Sequence, residues 1–351
     1  MKTLRLKVDA NNLETPAAIE ALNSAAAILR GGGLVALPTE TVYGLGANAL
    51  DRGAVEKIFA AKSRPAWDPV IVHIASSAML DGLVQQIPDA ARRLMDAFWP
   101  GPLTLLLKRT DAVPDVVTAG RPLVGVRMPS HPVALALIRC AGVPVAAPSA
   151  NRFGHVSPTT AEHVLDDLDG RIDAVLDAGP ALRGVESTVL DPSTNPMTIY
   201  RPGAVTAEQI ARIAGPAELF ASGSVLREAP AEALPSPGVG LKHYAPRARL
   251  VLVEARNDEL GARLAAAAAA ERGKRVGLML PNGIAMPHTL DGIKILEWGR
   301  WDAPETLAQG LYAGLRALDA AGCDVIVCPL PPAEGLGVAI HDRLRKAANR
   351  E

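Results

Sequence analysis

The sequence predicts an α/β protein in two parts: a large twisted mixed sheet with helices over residues 1–214, a connector at 215–247, and a smaller parallel α/β domain at 248–351. Three observations predict this. At 351 residues the chain is too long for one ordinary core. Short apolar runs alternate with amphipathic stretches along most of its length, which is the α/β pattern. Between Gly215 and Gly240 that alternation lapses into Ala, Gly, Pro and Ser with little period.

Met1 to Lys7 alternates as a first strand. Thr15 caps a helix with Pro16 in its first turn and Ile19, Leu22, Ala26 and Leu29 on one face, and Gly31-Gly32-Gly33 stops it. A buried strand over Leu34–Leu37 leads into Pro38-Thr39-Glu40-Thr41-Val42-Tyr43-Gly44-Leu45-Gly46-Ala47-Asn48, read as a strand end followed by a glycine turn. The hydroxyls, carboxylate and phenol of that segment are out of place in a core. Asp51 caps the next helix, with Val55, Ile58 and Phe59 inward and Lys62 at its end. Strands follow at Val70–Ile74, Leu103–Lys108, Leu123–Met128, Val143–Ala147, Asp173–Leu176, Ser187–Leu190 and Met197–Tyr200, with a helix near Pro88–Phe98. Thr206 and Gln209 form a capping box for the last helix of this part. Beyond the connector, strands at Leu250–Val253, Arg275–Leu280 and Asp324–Val327 alternate with helices at Glu259–Glu271 and Thr306–Ala320.

Composition narrows the function classes. The formal net charge of -1 argues against a long nucleic-acid footprint, so any cation cluster is local. Apolar stretches are broken before a membrane-spanning length, and the amino terminus lacks the apolar block of a secretory signal, so a cytoplasmic location without a membrane partner is expected. Three cysteines, Cys140, Cys323 and Cys328, form no even disulfide framework and no zinc spacing.

Chemistry concentrates in the first part. Lys62-Ser63-Arg64 and Ser149-Ala150-Asn151 each follow an apolar run and offer cations or hydrogen-bonding groups to a polyanion. Arginine binds phosphate as a fork and lysine as a point charge; if the backbone between Lys62 and Arg64 is extended, both face one ligand. The bland alternative is a solvated pair at a helix end, and on the ligand reading removal of either should cost turnover far more than stability. Arg127 alternates with Val124 and Val126 on its strand and needs a counter-anion, either a structural carboxylate or a substrate. His73 lies inside an apolar strand, where a satisfied core histidine is the ordinary reading. Gly44-Leu45-Gly46 is too weak and too far from the strand end for a dinucleotide fingerprint.

With Gly184-Val185-Glu186-Ser187-Thr188-Val189, Ile199-Tyr200-Arg201-Pro202-Gly203 and Lys242-His243-Tyr244-Ala245-Pro246, these segments resemble the YrdC-type threonylcarbamoyl-AMP synthases in their long two-domain form. The resemblance covers about residues 15–205 plus the last of those motifs. It implies a YrdC-like first domain and a Rossmann-like second one. It also implies a nucleotidyltransferase that joins L-threonine, bicarbonate and ATP, with Mg2+ carried by ATP and pyrophosphate released. The product would pass to a threonylcarbamoyl-transferase complex that modifies the adenosine next to the anticodon of tRNAs reading A-starting codons, so tRNA is met indirectly. Carried over by position, Thr41, His73, Arg127, Ala147 and Ser187 would line the threonine pocket. Lys62, Arg64, Asp68, Leu123, Ser149, Asn151, Ser157 and Arg201 would hold ATP, with Lys62 and Arg64 acting on the triphosphate and no protein ligand to the metal.

Asp68 stands where many relatives of this type have asparagine, and Leu123 could contact nucleotide only through its backbone. Gly238-Val239-Gly240-Leu241 departs from the family run before Lys242, so a contact from there through an aromatic hydroxyl is not expected, although the connector itself is expected to cover the pocket mouth. Two other classes are weighed. An RNA-binding or ribosome-associated module is disfavoured by the charge and by a 3% aromatic content, too low for base stacking. A carbamoyl-transfer maturation enzyme of metal clusters would carry zinc-finger cysteines.

Overall fold

The computed structural model describes residues 2–220, 236, 244–287 and 290–349. The described chain divides into two compact units, one over residues 1–153, 157–182 and 186–240 and the other over 154–156, 183–185 and 241–351. Most of the connector, including Gly238 to His243, lies outside the described residues, and with it the expectation that it covers a pocket.

The first unit is built on one sheet. Its strands are β1 (Leu4–Lys7), β2 (Val35–Pro38), β3 (Tyr43–Asn48), β4 (Val72–His73), β5 (Leu103–Lys108), β6 (Leu123–Arg127), β7 (Val145–Ala146), β8 (Ala174–Asp177), β9 (Thr188–Asp191), β10 (Met197–Arg201) and β11 (Ala217–Leu219). They lie in the order β1-β8-β2-β3-β7-β4-β6-β5-β9-β10-β11, with parallel and antiparallel neighbours mixed. Strand β11, whose residues fall in the expected connector, extends the edge of this sheet beside β10.

One face of the sheet is apolar throughout. Ala36, Leu45, Ala146, Val72, Val126, Leu105, Leu190 and Ile199 pack there against Ile58, Leu94, Val164 and Ile210 of helices Arg52–Lys62, Asp89–Phe98, Ala161–Leu168 and Ala207–Ala214. The other face is covered over only part of its width: helices Pro16–Arg30 and Pro132–Ala141 pack on Val35, Leu37, Val145 and Leu176. Side chains of neighbouring strands that share a register position share a face. In the remaining half, His73 pairs with Arg127, Thr104 with Val189 and Val189 with Arg201. The pairing of Leu105 with Val126 places Thr104 across from Arg127, so one row crosses five strands and is polar on four of them, with Val189 on the fifth.

Local signals explain most of the helix ends. Thr15 accepts from the Ala18 amide, Asp51 from the Ala54 amide, and Thr206 with Gln209 completes the reciprocal capping box. Two expectations are corrected. Gly44-Leu45-Gly46 is no turn: the chain reverses at 39–42 and the glycines sit inside β3, antiparallel to β2. A Cβ at Gly46 would stand 2.8 Å from Val145 Cγ1 and 2.9 Å from Leu37 Cδ2, so the glycine makes room for side chains of the neighbouring strands β7 and β2. Helix Pro132–Ala141, which the sequence reading does not name, is apolar nearly all round and so shows no stripe; it is a buried helix.

The second unit carries a four-stranded parallel sheet of β12 (Arg249–Val253), β13 (Val276–Asn282), β14 (Lys294–Arg300) and β15 (Val325–Pro329) in the order β12-β15-β13-β14. Helices Asn257–Ala270, Pro304–Ala320 and Gly337–Ala348 accompany it. Buried Trp298 donates from Nε1 to the Leu307 carbonyl at 2.7 Å. Strand β14 and the last helix go beyond the elements expected from sequence.

Candidate active site

Two buried clusters stand on the polar row. The first is built where helix Arg52–Lys62 ends. Ser63 caps that helix in the left-handed region (φ 53°, ψ 40°), so the backbone between Lys62 and Arg64 is not extended, and the expected shared face is corrected. Lys62 turns inward instead. It is 1% exposed, and Nζ donates to the Ser149 carbonyl at 2.5 Å and to the Asn151 carbonyl. The two polar signatures are therefore bonded to each other directly. Burial, then the Arg64 charge, pushes the Lys62 ammonium well below its ordinary value.

Arg64 closes back on the segment after it. Its Nε donates to the Asp68 carbonyl at 3.1 Å and Nη2 to the Pro69 carbonyl at 2.7 Å, while Nη2 lies 2.9 Å from Asp68 Oδ2. Asp68 is fully buried; burial pushes its carboxyl up, against the opposing charges of Arg64, Lys62 and Arg201 in that order. Those three cations thus converge on one carboxylate. Arg201, at the end of β10, donates from Nε to the Ser187 carbonyl and from Nη2 to Ser187 Oγ, both at 3.0 Å, and Ser187 Oγ meets Thr104 Oγ1 at 2.8 Å. Ser157 donates to Glu186 Oε1 at 2.6 Å.

The second cluster centres on Arg127, 3% exposed. Nη2 lies 2.7 Å from Glu40 Oε1, Nη1 donates to Thr41 Oγ1 at 3.1 Å and Nε to the Gly101 carbonyl at 3.2 Å. His73, its neighbour across the strands, is 3% exposed; burial, then the Arg127 charge, holds its imidazole at about 3, so it is neutral. Ala147 is buried beside Gly44, where an added Cβ would approach it to 3.3 Å. Leu123 packs with Ile71, Leu106, Val189 and Tyr200 in a small apolar cluster apart from the main core.

The structure therefore brings Lys62, Arg64, Asp68, Ser149, Asn151, Ser187 and Arg201 together through contacts or charge, and Thr41, His73 and Arg127 beside them. Sequence reasoning passed over Glu40 and Thr104 as individuals. Glu40 had a signal, a lone carboxylate between two threonines at the end of a buried strand. Thr104 had only its place in an otherwise leucine-rich strand.

A buried cation cluster beside a carboxylate-paired arginine on one α/β sheet suits an enzyme for anionic substrates. Comparison with known proteins places it. Residues 27–203 match the Sua5/YciO/YrdC family model, described as telomere recombination, and residues 205–349 match the threonylcarbamoyl-AMP synthase C-terminal domain. A threonylcarbamoyl-AMP synthase of Bacillus subtilis is 45% identical over 99% of this chain and 98% of its own. One from Pyrococcus abyssi is 43% identical over 92% of this chain and 93% of its own. The crystal structure of P. abyssi Sua5 complexed with L-threonine superposes with a TM-score of 0.87 at 39% identity, covering 99% of this chain and 98% of that one. The chain belongs to the threonylcarbamoyl-AMP synthase family, in its long Sua5 form.

Proposed function

We propose that this protein makes L-threonylcarbamoyl-AMP from L-threonine, bicarbonate and ATP with release of pyrophosphate, for transfer by a downstream threonylcarbamoyl-transferase complex to the adenosine beside the anticodon of tRNAs reading A-starting codons. The observation that carries the reading is the pairing of two buried clusters at one part of the sheet: the Arg127–Glu40 ion pair, and the Lys62, Arg64 and Arg201 cations around Asp68. Similarity to a threonine-complexed relative over nearly the whole chain supports it.

In this reading Thr41, His73, Arg127, Ala147 and Ser187 receive threonine, with Arg127 on its carboxylate and the Thr41 hydroxyl near its side chain. Lys62, Arg64, Asp68, Leu123, Ser149, Asn151, Ser157 and Arg201 receive ATP. An ammonium has three donors, and two of those on Lys62 are engaged with carbonyls, leaving one for a phosphate oxygen. Magnesium enters as the ATP complex; Asp68 and Glu186 are engaged with Arg64 and Ser157, which suits an ion held by phosphate rather than by protein.

Threonine and bicarbonate give a carbamate and water; the carbamate oxygen attacks the α-phosphorus and the bond to pyrophosphate breaks. No covalent enzyme nucleophile takes part. The protein's contribution is alignment of two anions and neutralisation of charge developing on the triphosphate. No helix among the described residues is long and apolar enough to cross a membrane. The test is a pyrophosphate-release assay with ATP, threonine and bicarbonate omitted in turn. Release should need all three, and serine should be about tenfold poorer, since one buried methyl is worth about 1 kcal/mol. Undiminished release without bicarbonate would rule out the carbamate route.

A further inference from the structure

The Arg127–Glu40 contact carries an inference that rests on the reading above that this site takes an amino acid. The two side chains are 4% and 6% exposed and lie 2.7 Å apart, yet neither carboxylate oxygen of Glu40 nor Nη2 of Arg127 makes an aligned hydrogen bond. Buried charges ordinarily fill their hydrogen-bonding capacity. A pair that keeps its attraction but leaves that capacity open is built for a guest carrying both signs. An α-amino acid is such a guest, with a carboxylate and an ammonium on one carbon.

We infer that Glu40 receives the α-ammonium of the substrate while Arg127 receives its carboxylate, so that the bound zwitterion replaces one internal ion pair with two. The surroundings fix this division. Thr39 Oγ1 accepts from the amides of Thr41 and Val42, each at 3.2 Å, and thereby pins the turn that bears Glu40. Arg127 is oriented by the Gly101 carbonyl and the Thr41 hydroxyl. His73, neutral at its side, brings no competing charge.

The same contact supplies a path for the proton. Carbamate formation needs the free amine: an N–H bond of the ammonium breaks, an O–H bond forms on a Glu40 oxygen, and the electron pair stays on nitrogen. The amine then adds to the carbon of bicarbonate, which yields the carbamate and water. Burial pushes the Glu40 carboxyl up, and in the free protein the Arg127 charge, with the nearby Arg127 guanidinium and the Glu40 and Ser130 amides as donors, more than offsets this and holds it below its ordinary value. A substrate carboxylate that occupies Arg127 weakens that restraint, so Glu40 becomes a proton acceptor once the amino acid is in place.

The test is calorimetric titration with L-threonine and with 3-hydroxybutyrate, which keeps the carboxylate and hydroxyl but has no ammonium. The unaltered protein should bind threonine at least about tenfold more tightly. Glu40→Gln should lose about 10- to 100-fold of threonine affinity and keep or improve its affinity for 3-hydroxybutyrate. Parallel loss of both ligands in the variant would mean that Glu40 only holds Arg127 in place, and would overturn the proposal. Equal affinities in the unaltered protein would overturn it without any variant, which decides the matter if Glu40→Gln fails to fold. An unaltered protein that binds neither ligand refutes the amino-acid site itself, a result distinct from the other two.

Discussion

Arg64→Ala should be among the most destabilising single changes in the first unit, and Asp68→Asn should reverse most of the damage. The pair is 6% and 0% exposed at 2.9 Å. At that separation the attraction is about 6 kcal/mol for an effective dielectric near 20. Desolvation of both charges offsets most of it, so the contact adds little net stability while intact. Losing one partner is different: a buried, uncompensated carboxylate typically costs about 3–5 kcal/mol. For a unit of this size each kcal/mol lowers the melting temperature by about 2–4 °C, so the fall should be about 6–20 °C. The sign with pH follows from burial, which raises the folded Asp68 carboxyl above its ordinary 3.8 against the opposing charge of Arg64. The folded chain holds the proton more tightly, so the stability this group contributes is complete below 3.8 and is lost as pH rises through the folded value. The penalty of Arg64→Ala should therefore grow with pH from about 4 upward. In the Asp68→Asn background the same change should cost only the two carbonyl hydrogen bonds of Arg64, about 1–2 kcal/mol. Thermal melts of the four proteins between pH 5 and 8 close a double-mutant cycle. If the double variant melts no higher than Arg64→Ala alone, the buried charge is not the cause.

Three further outcomes follow from the same geometry. His73 titrates at about 3 when folded and near 6.5 when unfolded, so its contribution to stability is whole above 6.5 and erodes as pH falls toward 3, by up to about 5 kcal/mol; His73→Gln should flatten that acid limb in urea titrations, and an unchanged slope would contradict the buried neutral imidazole. Lys62→Met leaves the Ser149 and Asn151 carbonyls without their donor and should lower stability by about 2–4 kcal/mol, so that thermal unfolding at an unchanged temperature would show that the inward ammonium is dispensable to the fold. A chain ending at Phe220 keeps edge strand β11 and the first unit's own apolar clusters and should melt cooperatively by circular dichroism; a broad, non-cooperative melt would mean that the unit depends on the rest of the chain.

The contacts of Lys62 and Arg127, set beside the helix caps, separate what the sequence made legible from what it hid. Capping residues are local, and Thr15, Asp51 and Thr206 could be read because the amides they satisfy lie three residues on. The partners of the site residues are remote. Lys62 meets carbonyls 87 and 89 positions away, and Arg127 meets a hydroxyl 86 positions away. A chain read in order shows that Arg127 needs an anion but cannot say that Glu40 supplies it, because only the order β7-β4-β6 brings the turn after β2 to the end of β6. The inward course of Lys62 was hidden for the same reason. The sequence reading has it share an extended face with Arg64 toward one ligand, whereas the left-handed cap at Ser63 and the nearness of Ser149 turn it inward.

That inward turn bears on how one residue serves fold and ligand together. A lysine free in solvent binds phosphate at the cost of its own side-chain entropy, whereas Lys62 has already lost that freedom to two carbonyls. The same holds for Arg127 between Gly101 and Thr41, and for Arg201 against Ser187. Each cation is preorganised by neutral backbone or hydroxyl oxygens that stay in place when an anionic ligand arrives. Each charge that does have a carboxylate, Arg64 with Asp68 and Arg127 with Glu40, meets it in a place where a substrate group of like sign could compete for the same cation. On the proposed function, these contacts hold the cations buried and aligned before a phosphate or carboxylate competes for them.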